Sequence, residues 1–214
     1  MNKIFQGFCF IALVAIAFTS CKSNDFDFEK ANEENRIKDS IELARIDKVI
    51  AEQAPELEAF AKAKFDNPVF DDSTGIWFDL VLPGDDNSYN YTVNNFGIVA
   101  PAISVVYKGT LLNDKVFDKT ELNEQGQDIP RDFNLAEVVK AWQWAFLPKS
   151  FKANGQEVKT VGITAKGLKK GSKIRFVTPS PWAYDKASRK DKDGVESIPA
   201  NSPLYFEIEV KSIK

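Results

Sequence analysis

Stretches far apart in the chain carry residue types that could line a binding hollow. Val105-Val106-Tyr107-Lys108-Gly109-Thr110-Leu111 is followed at short range by Val116-Phe117-Asp118, and Trp142, Tyr184 and Phe206 come later. Gathered in space, these rings would form an aromatic-walled pocket. By itself the pattern assigns no role, because an inward aromatic is more often core than site. What is missing narrows the chemistry further. The 214 residues include no histidine, which excludes a Ser-His-Asp triad, a Cys-His pair and a His-ligated metal.

The N-terminus reads as an export signal. Lys3 supplies positive charge, Phe8 to Phe18 is an apolar run too short to span a bilayer, and Thr19 and Ser20 precede Cys21. Residues 1–20 are therefore expected to be removed. Cys9 goes with them, so no disulfide within the mature chain is possible. The segment resembles a bacterial lipobox, with Phe18 where leucine is usual. That resemblance implies that Cys21 becomes the lipidated first residue and that a lipid, rather than a helix, holds the chain at the membrane. Loss of Lys3 leaves 27 basic against 31 acidic side chains, a net charge of −4, which argues against nucleic acid as a partner. Lys22 to Asp27 is short, polar and acidic, and reads either as a solvated tether or as a tag sorting the lipoprotein to an outer membrane.

Residues 21–68 form a tether and a helical arm. From Phe28 to Gln53, Ile37, Ile41 and Ala44 and then Ile46, Val49 and Ile50 recur at helical spacing. Pro55 suits the first turn of a second helix, with Glu56 and Glu58 near its positive end and Leu57 and Phe60 on its buried side, ending before Asn67-Pro68. Such an arm could be a spacer packed on its own domain or a homodimer contact; the short apolar stripe favours the spacer.

Beyond Pro68 the spacing changes to that of strands. Ile76 to Leu82, Tyr89 to Val93, Ile103 to Tyr107, Lys173 to Thr178 and Leu204 to Ile213 are the candidates. In the last, Leu204, Phe206, Ile208 and Val210 alternate with Tyr205, Glu207, Glu209 and Lys211, as in an antiparallel sheet with one wet side. A single helix interrupts them. Asn134 can cap it, Glu137 stands in capping-box register, and Leu135, Val138, Val139 and Trp142 make one stripe. The expected fold is α+β, a twisted antiparallel sheet wrapped around one helix, over residues 69–214.

Motif order then brings a family into view. Tyr107-Lys108-Gly109 with Phe117-Asp118 resembles the Tyr-x-Gly…Phe-Asp segment of FKBP-type peptidyl-prolyl cis-trans isomerases. Pro130-Arg131-Asp132-Phe133 and Val138-Val139-Lys140-Ala141-Trp142 are similar to the Pro-x-x-Phe…Val-Ile-x-Gly-Trp segment of its exported, macrophage infectivity potentiator-like branch. Leu168 to Gly171, Pro179 to Tyr184 and Ile198 to Phe206 resemble its remaining segments in the same order.

The resemblance implies catalysis without nucleophile, metal or cofactor. Rotating a prolyl peptide bond disrupts amide resonance against a barrier of about 20 kcal/mol, and an apolar pocket disfavours the planar, charge-separated ground state relative to the twisted one. It implies Trp142 as the floor, with Tyr107, Phe117, Phe133, Val138, Val139, Ile198 and Phe206 as walls. Tyr184 would donate its hydroxyl to a substrate carbonyl and Asp118 would polarise the site, although Asp118 also suits a turn ahead of Lys119-Thr120. Ala141, Asp185 and Ala200 depart from the family's Gly, Gly and Pro, and Pro148 to Thr164 is an insertion. The charged run Lys186 to Asp193 occupies the place of a flap. The implied partners are proline-containing polypeptides of the envelope or exported chains. The alternative is a non-catalytic binding lipoprotein that keeps the fold as a scaffold.

Overall fold

The computed structural model describes residues 28–214, so Cys21 and the expected signal peptide lie outside the described residues. By its internal contacts the chain divides between Ser40 and Ile41, and the described residues that bear on the site all lie in the unit Ile41–Lys214.

Helix α1 (Phe28–Lys64) continues past Pro55, so the second helix expected to start there is part of the first. An interior proline removes one helical hydrogen bond and costs about 3 kcal/mol. Contacts on both sides hold the axis: Gln53 is 8% exposed before the proline, and Leu57 and Ala61 are fully buried after it. Ile46, Val49 and Ile50 continue this stripe towards the N-terminus, half-buried, while Ile41 and Leu43 remain exposed.

The strands are β1 (Val69–Asp71), β2 (Ile76–Leu82), β3 (Val93–Asn94), β4 (Gly97–Ile98), β5 (Ala102–Leu111), β6 (Val116–Lys119) and β7 (Arg131–Asn134). After helix α2 (Lys140–Phe146) come β8 (Ser150–Ala153), β9 (Gln156–Lys159), β10 (Lys173–Thr178), β11 (Arg189–Lys190), β12 (Glu196–Ile198) and β13 (Leu204–Ile213). The main sheet has the order β1-β2-β10-β13-β5-β6, and β7 also pairs with β5. Every pairing is antiparallel. The architecture is the expected α+β arrangement.

Register explains which side chains meet. Phe78, Phe176, Phe206, Gly109 and Asp118 are successive cross-strand partners, and Leu80, Ile174, Ile208 and Tyr107 form the next row of the same face. These rows enter one core with Trp142, Ala145 and Phe146 of α2. The opposite face is only partly wet. Tyr205, 6% exposed, packs with Val177 beneath Leu57, Ala61 and Phe65, and the ladder Asp79, Arg175, Glu207, Lys108 carries the charge. Arg175 pairs with both Asp79 and Asp66, fixing the chain just past α1 to the sheet.

Two elements depart from the sequence expectation. The central helix is shorter: Asn134 does accept from Ala136 N–H, but it caps only a 3-10 turn, Leu135–Glu137. Val138 and Val139 are extended before α2 begins. β-Branched neighbours disfavour helix, and the Gln143 side chain donates to the freed Val138 carbonyl at 2.8 Å. Tyr89 to Thr92 is not a strand. Its alternation reflects ring burial instead, because the Tyr91 hydroxyl donates to Phe146 O at 2.5 Å and the ring stacks edge-on with Tyr89. The Pro148 to Thr164 insertion is the β8–β9 hairpin, with Phe151 against Tyr91.

Candidate active site

Trp142 is 4% exposed, and three rings meet its indole edge to face: Tyr107 at 5.1 Å, Phe206 at 5.6 Å and Phe133 at 5.8 Å between centroids. Tyr107 comes from β5, Phe133 from β7 and Phe206 from β13, so three neighbouring strands converge on one helix. Edge-to-face pairs add about 0.5–1.5 kcal/mol each beyond their burial, which holds the floor in one orientation. The indole N–H is buried without an acceptor among the described residues.

Phe117 completes the wall from β6, at 5.7 Å and nearly perpendicular to Phe206. It reaches there because Gly109 has no side chain. A Cβ at that position would stand 2.5 Å from Phe117 Cζ, so the glycine is a spatial requirement rather than a conformational one.

The hollow above the indole has a volume of about 410 Å³ and is lined by Tyr107, Phe117, Asp118, Phe133, Val138, Val139, Trp142, Tyr184 and Phe206. Nine of the ten pocket residues expected from sequence thus lie around one cavity. Ile198 does not line it. It is buried at 3% in β12, opposite Arg189 in the small hairpin where the flap was expected.

Sequence reasoning missed Arg131, Glu137, Ala183 and Arg189, which also line the hollow. Arg131 was legible in principle, since it stands two residues before Phe133 on the same strand and so on the same face. Its guanidinium donates to the Tyr107 hydroxyl at 3.0 Å, and that hydroxyl donates to Asp118 Oδ2 at 2.7 Å. Arg131 and Asp118 are also an ion pair at 3.8 Å. Asp118 is therefore neither isolated nor a plain turn residue; it is tied to the edge of the hollow through a phenol. Arg189 covers the Tyr184 ring at 4.7 Å. The Tyr184 hydroxyl has no hydrogen-bond partner among the described residues, which leaves a donor on the cavity wall for a ligand carbonyl.

A larger hollow of about 470 Å³ exists elsewhere, bordered by Asp66, Lys108, Lys173, Arg175, Glu207 and Glu209. Its lining mixes Val81, Val106, Leu122, Ile174 and Ile208 with these charges, of which Lys173–Glu209 and Arg175–Asp66 are ion pairs, and Tyr107 is its one aromatic residue, against six in the hollow above Trp142. The aromatic hollow is the better candidate.

A twisted antiparallel sheet folded over a short helix, with an aromatic hollow between them, defines the class. A profile of the FKBP-type peptidyl-prolyl cis-trans isomerase family matches residues 100–211. The FKBP-type peptidyl-prolyl cis-trans isomerase FkpA of Escherichia coli (strain K12) is 31% identical over 211 residues, covering 95% of this chain and 63% of that protein. FK506-binding protein 4 of Candida glabrata is 31% identical over 112 residues, 52% of this chain and 21% of its own length. The crystal structure of FkpA from Escherichia coli aligns over 90% of this chain and 74% of that one, with a TM-score of 0.48 and 26% identity. The chain belongs to the FKBP-type peptidyl-prolyl cis-trans isomerase family.

Two expectations follow from the geometry. Gly109→Ala should push Phe117 off Phe206 and weaken binding of a proline-mimicking ligand by about tenfold, or 1.4 kcal/mol, in a tryptophan-fluorescence titration of a still folded chain. Unaltered affinity would contradict the assignment of Phe117. The second concerns pH. Burial, then the bond to Asp118, pushes the Tyr107 phenol well above its ordinary value, and burial does the same to Tyr91 and Tyr205. These phenols stay protonated in the fold where the unfolded chain already loses its protons. Their stabilisation is complete below a pH of about 10 and is lost as pH rises further. The melting temperature should therefore decline above pH 10, and a flat profile to about pH 11 would contradict the burial.

Proposed function

We propose that this chain is a peptidyl-prolyl cis-trans isomerase acting on Xaa-Pro bonds of unfolded polypeptides. The observation that carries the reading is the ring-lined hollow floored by Trp142, with the unengaged Tyr184 hydroxyl on its wall. A prolyl ring lying on the indole would leave water, and so would the imide beside it. The planar imide is the more polar form, because resonance separates charge between oxygen and nitrogen. The twisted imide has lost that separation and suffers less from desolvation. Tyr184 would hold a flanking carbonyl, and Phe117, Phe133 and Phe206 would confine the ring. Asp118, tied to Tyr107 and Arg131, would set the field at the edge. Each step asks only for positioned apolar surface and one donor, and every 1.4 kcal/mol of preference for the twisted state gives about tenfold in rate.

The envelope role belongs to the same proposal. The export signal, with lipidation of Cys21, would place the domain at an outer membrane, in the exported branch of the family, where it would assist folding of exported proteins. Among the described residues no helix is long and apolar enough to cross a membrane. Ile41 and Leu43, exposed on α1, offer apolar surface for a homodimer.

A protease-coupled assay on proline peptides tests the reading. The wild-type chain should accelerate exchange, and Trp142→Ala and Asp118→Ala should each lower kcat/KM by about tenfold or more, equal to 1.4 kcal/mol of transition-state stabilisation. Absence of acceleration by the wild type, with proline peptides still bound, would instead favour the scaffold alternative.

A further inference from the structure

Tyr184 sits at the end of a short stretch that α1 grips at two points. The stretch runs from Pro179 through a 3-10 turn, Ser180–Trp182, to Asp185. At its start, the buried Gln53 side chain makes three bonds. Its Nε2 donates to Ser180 Oγ at 3.0 Å and to the Asn201 carbonyl at 2.8 Å, and its Oε1 accepts from Ser180 N–H at 2.8 Å. At its end, the Arg45 guanidinium donates to both Asp185 oxygens, at 3.1 and 2.6 Å. Glu42, one turn earlier on the helix, holds the same guanidinium from the other side.

The stretch is also closed on itself. Asp185 N–H donates to the Ser180 carbonyl at 2.9 Å, and Asn201 N–H donates to the Asp185 carbonyl at 2.6 Å. Asp185 and Asn201 both have positive φ, +49° and +57°, a conformation that side-chain-bearing residues adopt at some cost. Between the two grips, Ile50 packs on the Gly75 turn, whose neighbour Thr74 accepts from the Trp182 indole at 2.6 Å. The Tyr184 ring itself packs against the core and under Arg189, and among the described residues no hydrogen bond fixes its hydroxyl. Its position is thus inherited from backbone that α1 fixes on either side.

We propose that Arg45 and Gln53 are positioning residues of the isomerase site: through the Ser180 and Asp185 anchors they set where the Tyr184 hydroxyl meets substrate. The N-terminal helix is then part of the site and more than a spacer. The proposal rests on the isomerase reading for its effect on rate, but the placement of Tyr184 can be measured without catalysis. Arg45 is the gentler of the two to remove, because its pair is partly solvated. Gln53→Ala would strand buried donors and acceptors and could unfold the chain.

The full chain carrying 3-fluorotyrosine gives five fluorine signals, one per tyrosine, with that of Tyr184 assigned by its loss in Tyr184→Phe. Arg45→Ala and Asp185→Asn should each shift or broaden the Tyr184 signal, leave that of Tyr91 in place, and lower kcat/KM roughly tenfold. The double variant should be no worse than either single one, and Arg45→Lys, which keeps the charge without the fork, should recover part of the loss. In a Tyr184→Phe background, Arg45→Ala should change the rate no further. Lys48→Ala, on the exposed side of the same helix, should alter neither readout. An unmoved Tyr184 signal in Arg45→Ala, or a full loss of rate from Arg45→Ala in the Tyr184→Phe background, would overturn the proposal. A wild-type chain without isomerase activity would overturn only the functional reading, and the fluorine signal would still decide the placement.

Discussion

The arrangement depends on the indole of Trp142 being met edge-on by rings from three strands at once. That contact exists only because antiparallel register sets Tyr107 beside Ile208 and Gly109 beside Phe206, so that inward positions of β5 and β13 stack over α2. A shift of register by one residue would turn every one of these side chains to the other face. The cavity is therefore a property of strand pairing as much as of residue type. Gly109 leaves the one gap through which Phe117 reaches the cluster.

Polar groups are confined to the border of this apolar floor. Tyr107 links Asp118 to Arg131, and burial keeps its phenol protonated well above the ordinary range. A neutral phenol thus stands between Asp118 and the indole floor, with Arg131, Glu137 and Arg189 as the other charged side chains on the lining. That suits a ligand that must lose water and change shape without any bond being made to the protein.

Much of this was legible in the chain because strand alternation and motif order each point to the same inward residues. Tyr107, Phe117, Phe133, Trp142, Tyr184 and Phe206 needed only to be recognised as one constellation, and the β2, β5, β10 and β13 segments follow from period-two patterning. The misses share a cause. Val138 and Val139 fit a helical stripe, but their β-branched side chains sit at an extended joint whose carbonyl Gln143 satisfies from the following helix. Pro55 has a local preference for a helix start, yet tertiary contacts of Gln53 and Leu57 carry the helix past it. Ile198 has the apolar character of a wall but supports the hairpin that carries Arg189. Arg131 shares the inward face of Phe133 and could have been read from that spacing, whereas the α1 contacts were invisible because a hydrogen bond between residues 140 positions apart, such as Arg45 to Asp185, leaves no local periodicity.

In the proposed function a prolyl ring occupies the hollow above Trp142. The most direct measurement is a set of intermolecular nuclear Overhauser contacts between a bound Xaa-Pro peptide and the full chain. The proline ring protons should contact the Trp142 indole and the Phe117 and Phe206 rings. Ring contacts confined to the charged face around Lys173, Arg175 and Glu209, with none to Trp142, would contradict it.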